Sequence, residues 1–286
     1  RVLLLEAGTQ GSNFLWSKVP VGVSKMIDDP AVNWCYTSEP DEGSGGRRIA
    51  VPRGRMLGGS SSINGMVYIR GQAQDYDHWA QLGNRGWSFQ DVLPIFKRME
   101  RFEGGSDEFR GRNGILPVTH TPRHKVPLLE KIIEAAEKMG LPYNPDQNGA
   151  TQEGVGMSQV TITRGRRQST AFCYLDPARH RANLQIDQGA IAESLILEGR
   201  RCVGVRYSVN GQKREARATR EVIVSGGSIN SPKLLELSGI GQGDRLRALG
   251  IAPVHELPGG GENLRDHYSP RMKFEITGKN LTFNDN

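Results

Sequence analysis

Two glycine-rich stretches, 52–71 and 221–241, constrain this chain more than any other feature of its sequence. In the first, Gly58 and Gly59 lack β-carbons, so the backbone can approach a flat or charged ligand and turn through positive φ. Ser60, Ser61 and Ser62 follow with hydroxyls and successive N–H groups, an arrangement suited to an anion held in a backbone nest or at a helix start. Such a loop fits a diphosphate or the edge of a flavin. A plain Gly-Ser turn explains the glycines and serines, but not the frame of Arg53, Arg55, Asn64 and Arg70 or the immediate return to apolar residues. Glycine makes up 36 of the 286 residues, about 13% against a usual value of about 7%. There is no Gly-X-Y period and hydrophobic runs are plentiful, which argues against collagen and disorder. The excess therefore belongs to specific turns.

The second stretch reads as a β-branched strand (Val222 to Val224), a glycine turn (Gly226, Gly227) and a helix. Ser231 is the expected N-cap with Pro232 at the first helical position, and Leu234, Leu235 and Leu237 give the helix apolar side chains. Glycines at a strand-to-helix junction let a ligand reach main chain beside the helix N-terminus.

The chain opens on Val2-Leu3-Leu4-Leu5, an apolar run without alternation that suits a strand buried on both faces of a parallel sheet, and Glu6 follows it. In dinucleotide-binding folds a carboxylate about 20 residues beyond a G-x-G-x-x-G turn accepts from an adenosine ribose hydroxyl. On that reading Glu6 is the ribose ligand and the glycine fingerprint lies upstream of Arg1; the bland alternative is an acid ending an exposed edge strand. At the other end Phe274 to Thr277 reads as the start of a strand, and the chain is expected to be a fragment.

Other classes fit poorly. No apolar run approaches the roughly 18–20 residues that span a bilayer. Cys35, Cys173 and Cys202 are odd in number and far apart, which argues against a disulfide framework or a metal site and for a reducing compartment, the cytoplasm; peripheral attachment to the inner membrane stays open. A net charge of +6 permits an anionic partner, but the basic clusters (Arg164, Arg166, Arg167; Arg179, Arg181; Arg200, Arg201) are short and read as solvated faces, so no nucleic-acid partner is expected.

From Gly54 to Met66 the first stretch resembles the first signature of the glucose-methanol-choline (GMC) family of FAD-dependent alcohol oxidoreductases, approximately G-R-x-L-G-G-S-S-x-x-N-G-M. The second resembles that family's second signature, G-A-x-x-S-P-x-L-L-x-x-S-G-I-G, with Gly227 where alanine is usual. Further similarities fill the gaps: Asn33-Trp34 with Glu39-Pro40, Asp75-Tyr76-Asp77 through Trp79, Gly86-Trp87 with Leu93-Pro94, Asp146 to Gly149, Gln152-Glu153-Gly154, Arg167 and Ser169, and Leu257 to His267, where Gly260 replaces the usual valine.

The resemblance implies an α/β fold, an FAD/NAD(P)-binding Rossmann-like domain with an antiparallel β-meander, interrupted by a substrate-side insertion. Residues 1–70 and 185–270 would be its two FAD-binding parts, 71–184 the insertion and 271–286 the start of a substrate domain. It implies non-covalent FAD, since Ile63 stands where some members carry a flavin-linked histidine. Glu6 would hold the ribose. Main chain around Met56, Gly58, Gly59 and Ser60 would line the flavin or diphosphate, continued by Asn64, Gly65, Met66 and Val67; Ala192 would meet adenine, and Gly226 the ADP portion. The implied substrate is a small-molecule alcohol, oxidised by hydride transfer to flavin N5. No catalytic residue is assigned, because none of His78, His120, His124, His180, His255 and His267 falls on the family's catalytic motif. Alternatives are a hydroxynitrile lyase-like flavoprotein without net redox and a basic anion- or nucleic-acid-binding protein. Alone, residues 1–286 are expected to bind FAD poorly and turn over no alcohol.

Between the signatures, helical stretches are expected from about Asp75 to Met99, interrupted by Gly83 to Gly86, and a strand over Ile115 to Thr119. A helix is expected over Val126 to Met139, with Leu128, Leu129, Ile132, Ile133 and Ala136 on one face. A meander is expected over Leu195–Leu197, Cys202–Val209 and Lys213–Ala218, turning at Asn210-Gly211 and feeding the strand at Val222.

Overall fold

The structure, a computed structural model, describes residues 1–267 and Glu275. The expected strand start at Phe274 to Thr277 and the segment 271–286 otherwise lie outside the described residues. In chain order the longer elements are strand β1 (Val2–Glu6), helices α1 (Ala73–Gln81), α2 (Phe89–Met99) and α3 (Pro127–Lys138), strands β2 (Leu184–Gln188), β3 (Ala190–Glu198), β4 (Arg201–Val209) and β5 (Gln212–Arg217), and helices α4 (Gly227–Leu237) and α5 (Gly243–Ala248). This is a mixed α/β fold. Its backbone contacts divide the described residues into two compact units, one of Arg1–Thr9 with residues 182–267, the other chiefly of Gln10–Arg181.

In the first unit β1 pairs in parallel with β2, Val2 opposite Leu184 and Glu6 opposite Gln188. Parallel pairing follows from the unbroken apolar run, but burial on both faces does not: Val2 is 57% exposed and Leu3 36%. The meander forms as its alternation and turn chemistry require, with β4 antiparallel to both β3 and β5. Asn210 (φ 51°) and Gly211 (φ 77°) both take the left-handed conformation that a two-residue hairpin turn needs. Helix α4 packs on β3, where Ser238 Oγ accepts the Leu195 amide at 2.8 Å.

Two expectations near the second glycine stretch are corrected. Val222 to Val224 belongs to no strand, and Ile223 is 77% exposed. A β-branched run favours extended backbone, yet a strand also needs a neighbouring chain to complete its ladder, and no described segment pairs with this one. Helix α4 starts at Gly227, so Ser231 is not its N-cap and Pro232 lies inside it. The proline ring fixes φ near the helical value and forfeits one backbone hydrogen bond.

In the second unit α2 begins in a capping box: Ser88 Oγ accepts the Asp91 amide and Asp91 Oδ2 accepts the Ser88 amide. Helix α3 has Pro127 at its first turn and buries Ile133, while Leu129 and Ile132 stay exposed. The strand expected over Ile115 to Thr119 is two short pieces, Leu116–Pro117 beside Glu100–Arg101 and Thr119–His120 beside Gln159–Val160. Proline at 117 has no amide with which to continue a ladder.

Glu100 and Arg110 are wholly buried in this unit. Arg110 Nε and Nη2 donate to the two carboxylate oxygens at 2.8 and 3.0 Å, Nη1 donates to Gln159 Oε1 at 2.8 Å and to Asp146, and Arg70 Nη2 lies 2.7 Å from Glu100. Burial pushes the Glu100 carboxyl up, but hydrogen bonds from Arg110 and the Gly111 amide and the charges of Arg70 and Arg110 outweigh it and hold the group below its ordinary value. The same burial pushes Tyr68 up to about 12.

Among the described residues no helix is long and apolar enough to cross a membrane, no His/Cys/Asp/Glu cluster could hold a metal ion, and the three cysteines are free.

Candidate functional site

The loop at Gly58–Val67 is built on an antiparallel contact. Residues 50–55 lie extended against 32–37, with Trp34 N donating to Arg53 O at 2.9 Å, Arg55 N to Val32 O at 2.7 Å and Arg53 N to Asn33 Oδ1 at 2.9 Å. Met56 then anchors the chain in an apolar cluster with Met26, Val32 and Ile63, against which Phe14 packs. Both flanks of the glycine pair are thus fixed in the core by the same cluster.

Between those anchors Gly58 turns at φ 90° and Gly59 at 52°, and Gly59–Ser62 forms one 3₁₀ turn. Gly54 is required for a different reason: a β-carbon there would stand 2.2 Å from the Gly59 carbonyl oxygen. The serines close the turn on itself. Ser60 Oγ accepts the Gly54 amide at 3.0 Å, Ser61 Oγ donates to Gly58 O at 2.6 Å, and buried Ser62 Oγ donates to Leu57 O at 2.9 Å. Asn64 Oδ1 accepts the Met66 amide at 3.0 Å, which stabilises the left-handed turn at Met66 (φ 63°).

A second segment braces the loop. Arg167 Nη1 donates to Asn64 O at 2.7 Å, Asn64 Oδ1 at 2.8 Å and Ser61 O at 3.3 Å, and the Thr170 amide donates to Ser61 Oγ at 3.0 Å. Arg167 is 1% exposed, which corrects its reading as part of a solvated basic face. The run Arg164 to Arg167 looks like surface in sequence because nothing local shows that the loop's carbonyls wait for its guanidinium. Burial lowers the Arg167 pKa to about 10, leaving it charged at neutral pH. Arg167 and Ser169 belong to the family-like residues, but their sequence alone suggested no role.

The structure gathers Met56, Gly58, Gly59, Ser60, Asn64, Gly65, Met66 and Val67 in this one loop. Ser60, Asn64, Gly65 and Val67 are exposed and Gly58 and Gly59 partly so, whereas Met56 is wholly buried, main chain included, and Met66 is buried. The other three candidates belong to the first unit. Glu6 ends β1, with Oε1 accepting the Gly8 amide at 2.7 Å. Ala192 lies in β3 opposite Tyr207, beside a register shift. Gly226 precedes α4, and a β-carbon there would lie 3.2 Å from the Asn230 β-carbon and the Ser231 amide nitrogen.

A braced main-chain loop with a positive charge behind it could belong to many binding proteins, but the family model for GMC oxidoreductases matches residues 2–269. This chain belongs to the GMC oxidoreductase family. It is 45% identical over 260 residues to the oxygen-dependent choline dehydrogenase of Brucella anthropi, covering 91% of this chain and 47% of that protein. It is 45% identical over 273 residues to the mitochondrial choline dehydrogenase of Homo sapiens, covering 93% of this chain and 46% of that one. Among solved structures it is similar to pyridoxine 4-oxidase from Mesorbium loti, with a TM-score of 0.84, 32% identity, and coverage of 90% of this chain and 50% of that one. The GMC chain described here thus spans about half the length of the curated relatives it matches.

Proposed function

We propose that this GMC chain carries cofactor-holding elements of an FAD-dependent oxidoreductase that converts the CH–OH group of a small alcohol to an aldehyde or ketone. The observation that carries the reading is the braced loop. Gly58 and Gly59 present main chain, Gly54 leaves no space for a side chain, and Arg167 sets a positive charge against Ser61 and Asn64 of the same loop. A coenzyme with a flat ring and a diphosphate suits a surface of that chemistry. Relatives named choline dehydrogenase support an alcohol substrate and make choline the first one to try.

In this reading, main chain at Met56, Gly58, Gly59 and Ser60, with Asn64, Gly65, Met66 and Val67, holds the flavin or diphosphate. Glu6, oriented by the Gly8 amide, accepts from the adenosine ribose; Ala192 offers main chain to adenine, and Gly226 the close approach that the ADP portion needs. Residues 1–70 and 185–270 act as the cofactor-binding stretches around a substrate-side insertion at 71–184. When bound, FAD supplies the hydride acceptor at N5. The chain's own contribution is to bind, orient and charge the surroundings of the cofactor, and no described histidine is given the proton.

The test is direct. The full-length protein should purify with flavin bound, and choline or a related alcohol added without oxygen should bleach it. A colourless protein indifferent to added FAD would overturn the proposal. Cleavage of a cyanohydrin, with no alcohol reducing the flavin, would replace it with the lyase reading.

A further inference from the structure

Arg110 and Arg167 are equally buried but differently compensated. Around Arg110 stand two carboxylates, Glu100 and Asp146. Arg167 has neutral acceptors only: one nitrogen serves Ser61 O, Asn64 O and Asn64 Oδ1, while Nε and Nη2 are buried without a hydrogen-bond partner among the described residues. No described carboxylate lies within ion-pair reach of it. Burying an unneutralised cation is costly, and bracing a loop does not require a charge, because a neutral amide can donate to the same carbonyls. Groups held at such a cost concentrate at functional sites.

We propose that Arg167 is a positioning residue for the anionic or electron-rich part of the cofactor, holding the Gly58–Asn64 loop in shape and lending it positive potential. This inference rests on the FAD reading above. The charge acts through the loop rather than by touching the ligand, since its unpartnered nitrogens are closed off; in surroundings of low dielectric its field extends beyond the first layer of atoms. The group it favours is either the diphosphate or the carbonyl edge of the flavin, both oxygen-rich.

The experiment uses full-length protein stripped of flavin. Arg167→Met removes the charge and keeps much of the stem, Arg167→Lys keeps the charge and loses the planar fork, and Asn64→Asp keeps the side-chain acceptor while neutralising Arg167 in place. Arg167→Met and Asn64→Asp should each weaken FAD binding roughly tenfold or more, the scale of one charge-assisted interaction. Arg167→Lys should recover most of that loss. ADP competition and the flavin midpoint potential separate the two sources: a diphosphate partner weakens ADP binding in parallel and leaves the potential alone, whereas a flavin-edge partner shifts the potential negative and spares ADP.

If Arg167→Met does not fold, Arg167→Gln carries the test, since a neutral amide can donate to the same loop carbonyls without the charge, whereas Asn64→Asp also places a charge at a residue of the binding loop itself. Unchanged FAD affinity and potential in folded Arg167→Gln protein would overturn the inference, as would Arg167→Lys failing as badly as Arg167→Met, which would leave a brace alone. Failure of the unaltered protein to bind FAD would instead bring down the functional reading itself.

Discussion

A β-carbon at Gly54 would stand 2.2 Å from the carbonyl oxygen of Gly59. Residues five apart in sequence thus touch through their main chains, and the approach is fixed on one side by the ladder to Val32–Trp34 and on the other by the 3₁₀ turn. Gly54→Ala must push one of these aside, at a cost on the order of 1–3 kcal/mol. Gly59, by contrast, has open space where its β-carbon would lie and only its left-handed φ of 52° to resist substitution. Gly59→Ala should therefore cost about 1 kcal/mol. Thermal unfolding of the two variants compares them, and equal losses would mean that the contact at Gly54 is easily relaxed.

Arg110→Met should destabilise the protein by about 3–5 kcal/mol, because it strands buried Glu100 beside a single remaining cation. The double variant Arg110→Met with Glu100→Leu should regain part of that loss. Urea denaturation measures both.

The depressed Glu100 carboxyl also sets a pH dependence. Its stabilising contribution is fully present above the ordinary carboxylate value, where the group is ionised in both folded and unfolded chains, and is lost as pH falls through its lower folded value. Stability against urea should drop on acidification, and less so for Glu100→Gln, whose side chain does not titrate. Parallel acid profiles for the two proteins would show that other carboxylates dominate.

Thiol labelling at pH 8 should distinguish the cysteines. Cys35 is exposed, whereas burial pushes the Cys173 thiol up to about 11 despite opposing charges on Arg101 and Arg166. A disulfide reagent should modify Cys35 promptly and Cys173 only after unfolding. Rapid native labelling of Cys173 would mean that its surroundings open readily.

Ile63 is 4% exposed, with its side chain in the cluster of Met26, Val32 and Met56. It offers no attachment point, so acid precipitation of the flavin-loaded full-length protein should leave colourless polypeptide and all the flavin in solution. Yellow colour in the pellet would contradict non-covalent binding.

Wherever conformation depends on a few neighbouring residues, the sequence determined the outcome. The Asn210-Gly211 turn, the apolar run that becomes β1, the spacing that makes α3 and the glycine pair at 58–59 all act through local sterics and periodicity. What needed a partner far along the chain was decided only by the tertiary structure. Val222 to Val224 has strand chemistry but no neighbouring ladder among the described residues, and α4 begins four residues ahead of the Ser-Pro that looked like its cap. Arg167 and Arg110 look like any surface arginines until the fold surrounds them, one with carbonyls of a loop about a hundred residues upstream and the other with carboxylates from two separate segments. Burial and counter-charge are properties of what the folded chain brings together, and no local pattern in the sequence encodes them.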